Sequence, residues 1–298
     1  MKHPQYKVWK DLVETHLYDF LPTIDHNSQT LHDAMVYSLK AGGKRLRPIL
    51  LLAAMEFCGA DEKQGLPYAA AIEYIHTYSL IHDDLPAMDD DDLRRGIPTN
   101  HKVFGEAMAI LAGDGLLSAA FEAMSKDQLL YMDDAEALKR RVRASHTILK
   151  GAGVRGMVAG QVCDVEIEGK TCSKELLDYI HLNKTAALIK APIKAGAFLA
   201  GADDKKLRDL ETYAECIGLA FQIRDDLLDV TGSEEDLGKR VGKDAELQKA
   251  TYPAVYGLEA SYARLEELTN RALEVMEPYY DHAEFFNALA VYLMNRVG

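Results

Sequence analysis

Six of the ten residues from Asp83 to Asp92 are aspartates (Asp83, Asp84, Asp89, Asp90, Asp91 and Asp92), and a second group, Asp225, Asp226 and Asp229, follows roughly 140 residues later. Both groups sit in apolar, helix-forming sequence. Two carboxylates held about 5 Å apart repel by roughly 3 kcal/mol at an effective dielectric of about 20, so a fold that gathers this many needs cations between them. Hard oxygen donors without Cys or His suit magnesium, calcium or manganese. Magnesium in particular is held by one or two carboxylates, with substrate phosphate completing its octahedron. The two clusters therefore imply a diphosphate gripped between two metal-bearing walls.

In the first cluster, helical register sets Asp83 one turn beyond Ser79 and two beyond His76, so His76 and Asp83 share a stripe. A hydrogen-bonded core histidine is the alternative reading of His76. Pro86 interrupts the turn, and Asp89 lies six residues past Asp83, a loosened stretch in which both carboxylates can converge. Arg94 and Arg95 follow, with guanidinium forks suited to bidentate phosphate contacts. In the second cluster, Gln222, Asp225, Asp226 and Asp229 fall at i, i+3, i+4 and i+7, one helix face made of oxygen-bearing side chains. Leu219, Ile223, Leu227 and Val230 form a separate apolar stripe. Beyond it, Lys239, Arg240 and Lys243 stand among glycines in a loop that could close over an anion.

A third basic segment is AGGKRLRP, residues 41–48. Lys44, Arg45 and Arg47 at a helix start oppose the helix dipole unless an anion lies between them. A charge run is ordinarily a solvated, salt-bridged face, but the apolar flanks and the repeated acidic pattern favour a site. Basic groups in three places and two acidic walls imply two phosphorylated substrates.

Helices must position these groups. Ala, Leu, Met, Glu and Lys abound, while alternating strand patterns and hairpin turns are nearly absent, which predicts an all-α protein. Caps and breakers predict helices at 5–20, 28–41, 45–58, 62–85, 104–125, 134–153, 155–167, 174–201, 204–230, 236–240, 251–277 and 282–295. No linker, composition shift or repeat divides residues 1–298, so a single domain is expected. Residues 107–121 and 186–200 are apolar nearly all round, and either could be a homodimer interface or a buried core helix.

Composition sets further bounds. The chain of 298 residues is 48% hydrophobic, enough for a full core, and its net charge of −13 argues against nucleic acid as a partner. Cys58, Cys163, Cys172 and Cys216 lack C-x-x-C spacing and read as reduced, mostly buried thiols of a cytoplasmic protein. The N-terminus does not resemble a secretory signal, and the apolar runs are broken by Asp114, Lys190 and Lys194. A soluble chain without stable membrane insertion is expected.

GGKRLRP, SLIHDDLPAMDDDDLRRGIPTNHKVFGEA, HLNKTAALI, FQIRDDLLDVTG and QKATYP occur in this order over residues 30–260. The set resembles the bacterial short-chain trans-prenyl diphosphate synthases, and is most similar to those that make farnesyl diphosphate. The resemblance implies an all-α bundle around a deep central cavity (the isoprenoid synthase fold), a homodimer, and magnesium as cofactor, three ions per site, with manganese as a substitute. It implies that Asp83, Asp89 and Asp225 hold the metal that binds an allylic diphosphate, supported by Asp84, Asp226 and Asp229. Arg94, Lys184 and Lys239 would neutralise the departing diphosphate, and Lys44, Arg47, His76 and Arg95 would hold isopentenyl diphosphate. Thr185 and Gln222 would set oxygen dipoles beside an allylic cation, and Lys249 would add charge at the mouth.

The implied reaction condenses isopentenyl diphosphate with dimethylallyl and geranyl diphosphates to a fifteen-carbon product. The resemblance implies that product length is set by Tyr78, the aromatic residue five positions before the first aspartate motif. On a helical wheel Ser79, not Tyr78, lies directly under Asp83. The alternative is a geranylgeranyl synthase with a deeper cavity. Terpene cyclases need no second diphosphate site, hence no GGKRLRP segment. A non-enzymatic acidic helical cation-binding protein is the remote alternative, and the chain lacks the twelve-residue calcium loop with Gly at its sixth position.

Overall fold

The computed structural model describes residues 1, 3–23, 25–231 and 250–296. The all-α expectation holds. Chain order runs α1 (Pro4–His16), α2 (Gln29–Lys40), α3 (Leu46–Phe57), α4 (Leu66–Asp83), a short antiparallel pair β1 (Leu93–Arg94) and β2 (Ile97–Pro98), α5 (Asn100–Phe104), α6 (Glu106–Leu129), α7 (Ala135–Ala152) and α8 (Met157–Ile167). There follow α9 (Lys174–Ile180), a π-helical segment (His181–Ala186), α10 (Ala187–Leu199), α11 (Asp204–Thr231), α12 (Tyr252–Tyr256), α13 (Leu258–Met276) and α14 (Glu284–Asn295). The helix expected at 236–240 lies outside the described residues.

Apolarity on every side places a helix at the centre. From Leu66 to Ile75 of α4 every residue is buried except Pro67, and α3 is buried from Pro48 to Met55. These two pack on each other, α4 also packs on α6, and α10 packs on α7, α3 and α11. Catalytically interesting residues thus stand on the ends of helices that are themselves core.

The two apolar helices separate in role. α10 is enclosed, with Leu188, Ile189, Ile193, Ala195 and Ala197 all buried, whereas α6 leaves Ile110, Leu111 and Phe121 exposed. α6 is also long and apolar enough to cross a membrane by length and hydropathy, which the break at Asp114 does not prevent. Four further readings are corrected. The helix expected at 174–201 is interrupted by the π segment, and that at 251–277 is split at Gly257, whose φ of +88 a helix cannot include. Val230 does not join the apolar stripe of α11 but is exposed, although Leu227 and Leu228 just before it are buried. All four cysteines are free, and only Cys216 is buried.

Arg45 ties the first basic segment to the core. It sits at φ 48, left-handed backbone that costs a non-glycine residue about 1–3 kcal/mol. Its guanidinium is buried and donates to Glu73 at 2.6 Å, to Glu14 at 2.8 Å and to the Leu39 carbonyl at 2.7 Å. Arg45 is therefore an anchor, and the turn it holds releases Lys44 and Arg47 in other directions. Removing one partner of such a buried pair leaves the other charge unmatched. Glu73→Ala is expected to lower unfolding free energy by roughly 3–5 kcal/mol, measured by urea denaturation, while Lys7→Ala, at an exposed ion pair, changes it by less than about 1 kcal/mol.

Candidate active site

A cavity of about 530 Å³ opens between the C-terminal end of α4, the face of α8 and the π segment. Arg47, His76, Tyr78, Ser79, Asp83, Lys184 and Thr185 all line it. α4 delivers His76, Ser79 and Asp83 along one stripe, as their spacing requires, and Tyr78 enters beside them. Its ring is nearly buried and stands edge-on to His82 at 5.7 Å. Burial first, and then Asp83, push the Tyr78 hydroxyl up to about 12.

After Asp83 the chain doubles back on its own helix end. The Asp89 amide donates to the Asp83 carbonyl at 2.9 Å and the Asp91 amide to the Asp84 carbonyl at 3.2 Å, so the aspartates gather as the proline break suggests. Asp83 faces the cavity, where Gln161 donates to its Oδ1 at 2.9 Å. Burial, reinforced by Asp89 and Asp84 and opposed by Lys184 and Arg94, raises the Asp83 carboxyl to about 6. A carboxylate so short of positive charge fits a hard divalent cation, and the surrounding donors are oxygens. Among the described residues no three His, Cys, Asp or Glu side chains converge on one ion position. An ion here would therefore take much of its shell from water and ligand oxygens.

Arg94 and Asp84 hold each other: the guanidinium donates to the carboxylate at 2.7 and 2.5 Å. Both face a recess beside the main cavity, with Arg95. The tight turn at Arg95 and Gly96 between β1 and β2 separates the two arginines, and the Arg95 guanidinium lies against Gly43 of the first basic segment.

Arg47 is, with Lys184, one of two cations lining the main cavity. Its Nη1 donates to His76 Nε2 at 3.3 Å, while its Nε is sealed from solvent without a hydrogen-bond partner. Burial lowers its pKa to about 10 despite Glu73 and Asp225. His76, held well below the usual imidazole range by burial and then by Arg47, is neutral and orients that guanidinium. Lys44 is exposed and is not among the residues that line the cavity.

The second wall is wired to the first through the π segment. Thr185 Oγ1 donates to Gln222 Oε1 at 2.6 Å, and Gln222 Nε2 donates to Asp226 Oδ1 at 2.7 Å. The Tyr252 amide donates to Asp226 Oδ2 at 2.7 Å, and His181, stacked on Tyr252, lies 3.4 Å from that oxygen. Asp226 and Asp229 are buried behind the cavity, whereas Asp225 is more open and pairs with Arg296 at 2.5 Å. Lys184 reaches Asp164 at 2.5 Å. Lys239, Arg240, Lys243 and Lys249 lie outside the described residues.

Asp83 at the end of α4 shares the cavity with Arg47 and Lys184, and the second aspartate group joins its wall through Gln222 and Thr185. This arrangement agrees with the match of residues 28–282 to the polyprenyl synthetase family model. The chain belongs to the polyprenyl synthetase family. It is 52% identical over 256 residues to the farnesyl diphosphate synthase of Geobacillus stearothermophilus, covering 86% of this chain and 84% of the relative. It is 45% identical over 288 residues to the geranylgeranyl diphosphate synthase of Cyanophora paradoxa, covering 96% and 94%. The fold matches the crystal structure of a geranyltransferase from Legionella pneumophila with a TM-score of 0.85 at 32% identity, covering 97% of this chain and 95% of that one.

For this polyprenyl synthetase, sequence reasoning missed Gln161, Asp164, His181, Tyr252 and Arg296. Gln161 and Asp164 carried a signal, an i, i+3 polar pair after Gly160 in a helix that is apolar otherwise up to Val165. The contact of Arg296 with Asp225 has no local signature. Gly160 matters by its lack of a side chain, since a Cβ there would come within 2.2 Å of the Lys184 backbone nitrogen. Gly160→Ala is expected to push the π segment off α8 and displace Lys184, lowering turnover by about 100-fold, the scale of a 1 Å misplacement at a reacting centre. Steady-state rates beside circular dichroism check this, with helical content retained.

Proposed function

We propose that the chain is a trans-prenyl diphosphate synthase that condenses isopentenyl diphosphate head to tail with dimethylallyl and then geranyl diphosphate, giving (2E,6E)-farnesyl diphosphate. The observation that carries this reading is the cavity itself. Arg47, Lys184 and Asp83, suited to phosphate and metal, line it together with Tyr78 and the apolar Val158, Val162 and Leu188, suited to a hydrocarbon chain.

In this reading Asp83, Asp89 and Asp225 are the metal ligands. Magnesium, when bound there, supplies the positive charge that lowers the energy of a departing diphosphate. Asp84, Asp226 and Asp229 support them at one remove, Asp84 through its hold on Arg94 and Asp226 through Gln222. Lys184, set by Asp164, balances charge on the leaving group, and Arg94 joins it by exchanging Asp84 for phosphate. Arg47, with Lys44 and Arg95, takes the diphosphate of isopentenyl diphosphate, and the unpartnered Nε is the donor available for it. Thr185 uses its proton on Gln222, which leaves its lone pairs to face an allylic cation.

The allylic carbon–oxygen bond breaks with its electron pair leaving on diphosphate. The double bond of isopentenyl diphosphate forms the new carbon–carbon bond, and the proton lost from the adjacent carbon passes to the released diphosphate. Val158, Val162 and Leu188 line the same cavity and keep out the water that would quench the cation. Lys239 and Lys249 complete the reading, Lys239 neutralising the departing diphosphate and Lys249 adding charge at the mouth. The exposed Ile110, Leu111 and Phe121 of α6 support a homodimer through that helix, acting in the cytoplasm without membrane insertion or nucleic acid.

Tyr78 supports the shorter product. Its ring is packed on His82, and displacing it costs about 1–3 kcal/mol in overpacking strain. A geranylgeranyl product is the second reading, favoured by the Cyanophora relative. Incubation with magnesium, isopentenyl and dimethylallyl diphosphates, then chromatography of the dephosphorylated products, is expected to show fifteen carbons from wild type and longer chains from Tyr78→Ala. A mainly twenty-carbon product from wild type would decide for the second reading, and an unchanged product from Tyr78→Ala would place the floor elsewhere. Asp83→Ala and Asp225→Ala are each expected to lose roughly 1000-fold or more in turnover, about 4 kcal/mol of charge stabilisation. Excess chelator is expected to abolish activity of wild type.

A further inference from the structure

A second groove, of about 630 Å³, lies on the far side of the π segment, between α7 and α10. Its charge runs against the rest of the molecule. Arg143, Lys150, Arg155, Lys190 and Lys194 line it with a single carboxylate, Glu211, in a chain of net charge −13. Lys194 pairs with Glu211 at 2.6 Å, and Lys190 pairs with Glu211 at 3.1 Å and with Glu215. Lys150 and Arg155 have neither an ion pair nor a side-chain hydrogen bond among the described residues. The Arg143 guanidinium is laid over the Phe198 ring, 4.2 Å from its centroid. Cations gathered in a concave surface repel one another unless an anion joins them. Between them the floor is apolar, formed by Leu182, Ala187 and Ala191.

The groove and the catalytic cavity share one wall. Leu182 and Asn183 line the groove, and the next two residues, Lys184 and Thr185, line the cavity. The wall is a π turn, a wider winding than the helices on either side, and such turns recur at functional sites. A ligand pressed against Leu182 and Asn183 bears directly on the backbone that sets Lys184.

We propose that this groove is a second anion site, for a ligand of the diphosphate class, and that its occupancy slows turnover through the π segment. Lys150 and Arg155 supply the charge for the anion, and the apolar floor accepts a hydrocarbon tail where the ligand has one. The binding half stands apart from the catalytic reading, and the coupling half rests on it.

Calorimetric titration of the full chain with inorganic diphosphate in excess chelator separates the two sites. A binding component is expected that survives Arg47→Ala in the catalytic cavity and weakens at least tenfold in the Lys150→Glu/Arg155→Glu double variant. Loss of that component in Arg47→Ala, or its persistence in the double variant, would overturn the site. Orthophosphate is expected to bind at least tenfold more weakly, and equal binding would overturn the diphosphate class. Farnesyl diphosphate run in parallel tells the tailed source from the free anion: tighter binding assigns the floor to the tail, and equal binding removes that role.

For the coupling, initial rates with added diphosphate are expected to show inhibition that saturating allylic substrate does not relieve. The double variant is expected to keep wild-type basal rates and lose that inhibition, and its retention would overturn the coupling. A protein that binds diphosphate in the groove but transfers no prenyl group would count against the proposed function and leave the site standing.

Discussion

Charge held inside an apolar helical bundle is the constraint on which the rest of the structure depends. Asp83 on α4 and Arg47 on α3 each stand at the edge of a core helix, where desolvation works against their charged forms. Neither is fully matched within the protein. The carboxyl of Asp83 is raised, and the Nε of Arg47 has no partner. This is the reverse of Arg45, whose charge is answered by Glu73 and Glu14 and whose work is to hold a strained turn. Two neighbouring basic residues, Arg45 and Arg47, thus divide between structure and site according to what lies opposite them.

The π segment is the second organising element. It interrupts a run that helical periodicity would carry unbroken from α9 into α10, and so turns Lys184 and Thr185 toward α8 and α11 together. Lys184 meets Asp164 on one side, and Thr185 meets Gln222 on the other. From Gln222 the hydrogen bonds run on to Asp226 and the Tyr252 amide, so the second acidic wall is braced from behind. Gly160 allows α8 to approach the turn closely, which makes the position of Lys184 a matter of backbone packing more than of side-chain choice.

Much of the site was legible because it is local. The stripe of His76, Ser79 and Asp83 follows from 3.6 residues per turn, and the return of Asp89 to Asp83 follows from Pro86. Tyr78 shows the limit of that argument. A helical wheel puts Ser79 under Asp83, yet both residues line the cavity, because a tunnel receives a wider arc of the helix than one stripe.

The sequence by itself determined the helices, their buried faces and the two acidic ends, since periodicity, capping and breaking act over a few neighbouring residues. Only the tertiary structure decided which charges answer one another. Asp84 takes Arg94, Asp225 takes Arg296, and Lys184 takes Asp164, pairings that depend on how elements cross and on turns such as Arg95–Gly96. It also decided that apolar α10 is enclosed while α6 keeps Ile110, Leu111 and Phe121 outward, a difference in neighbours and not in composition. Burial and electrostatic pairing are properties of what comes near, and residues 20 and 71 positions apart in the chain come near only when the bundle closes.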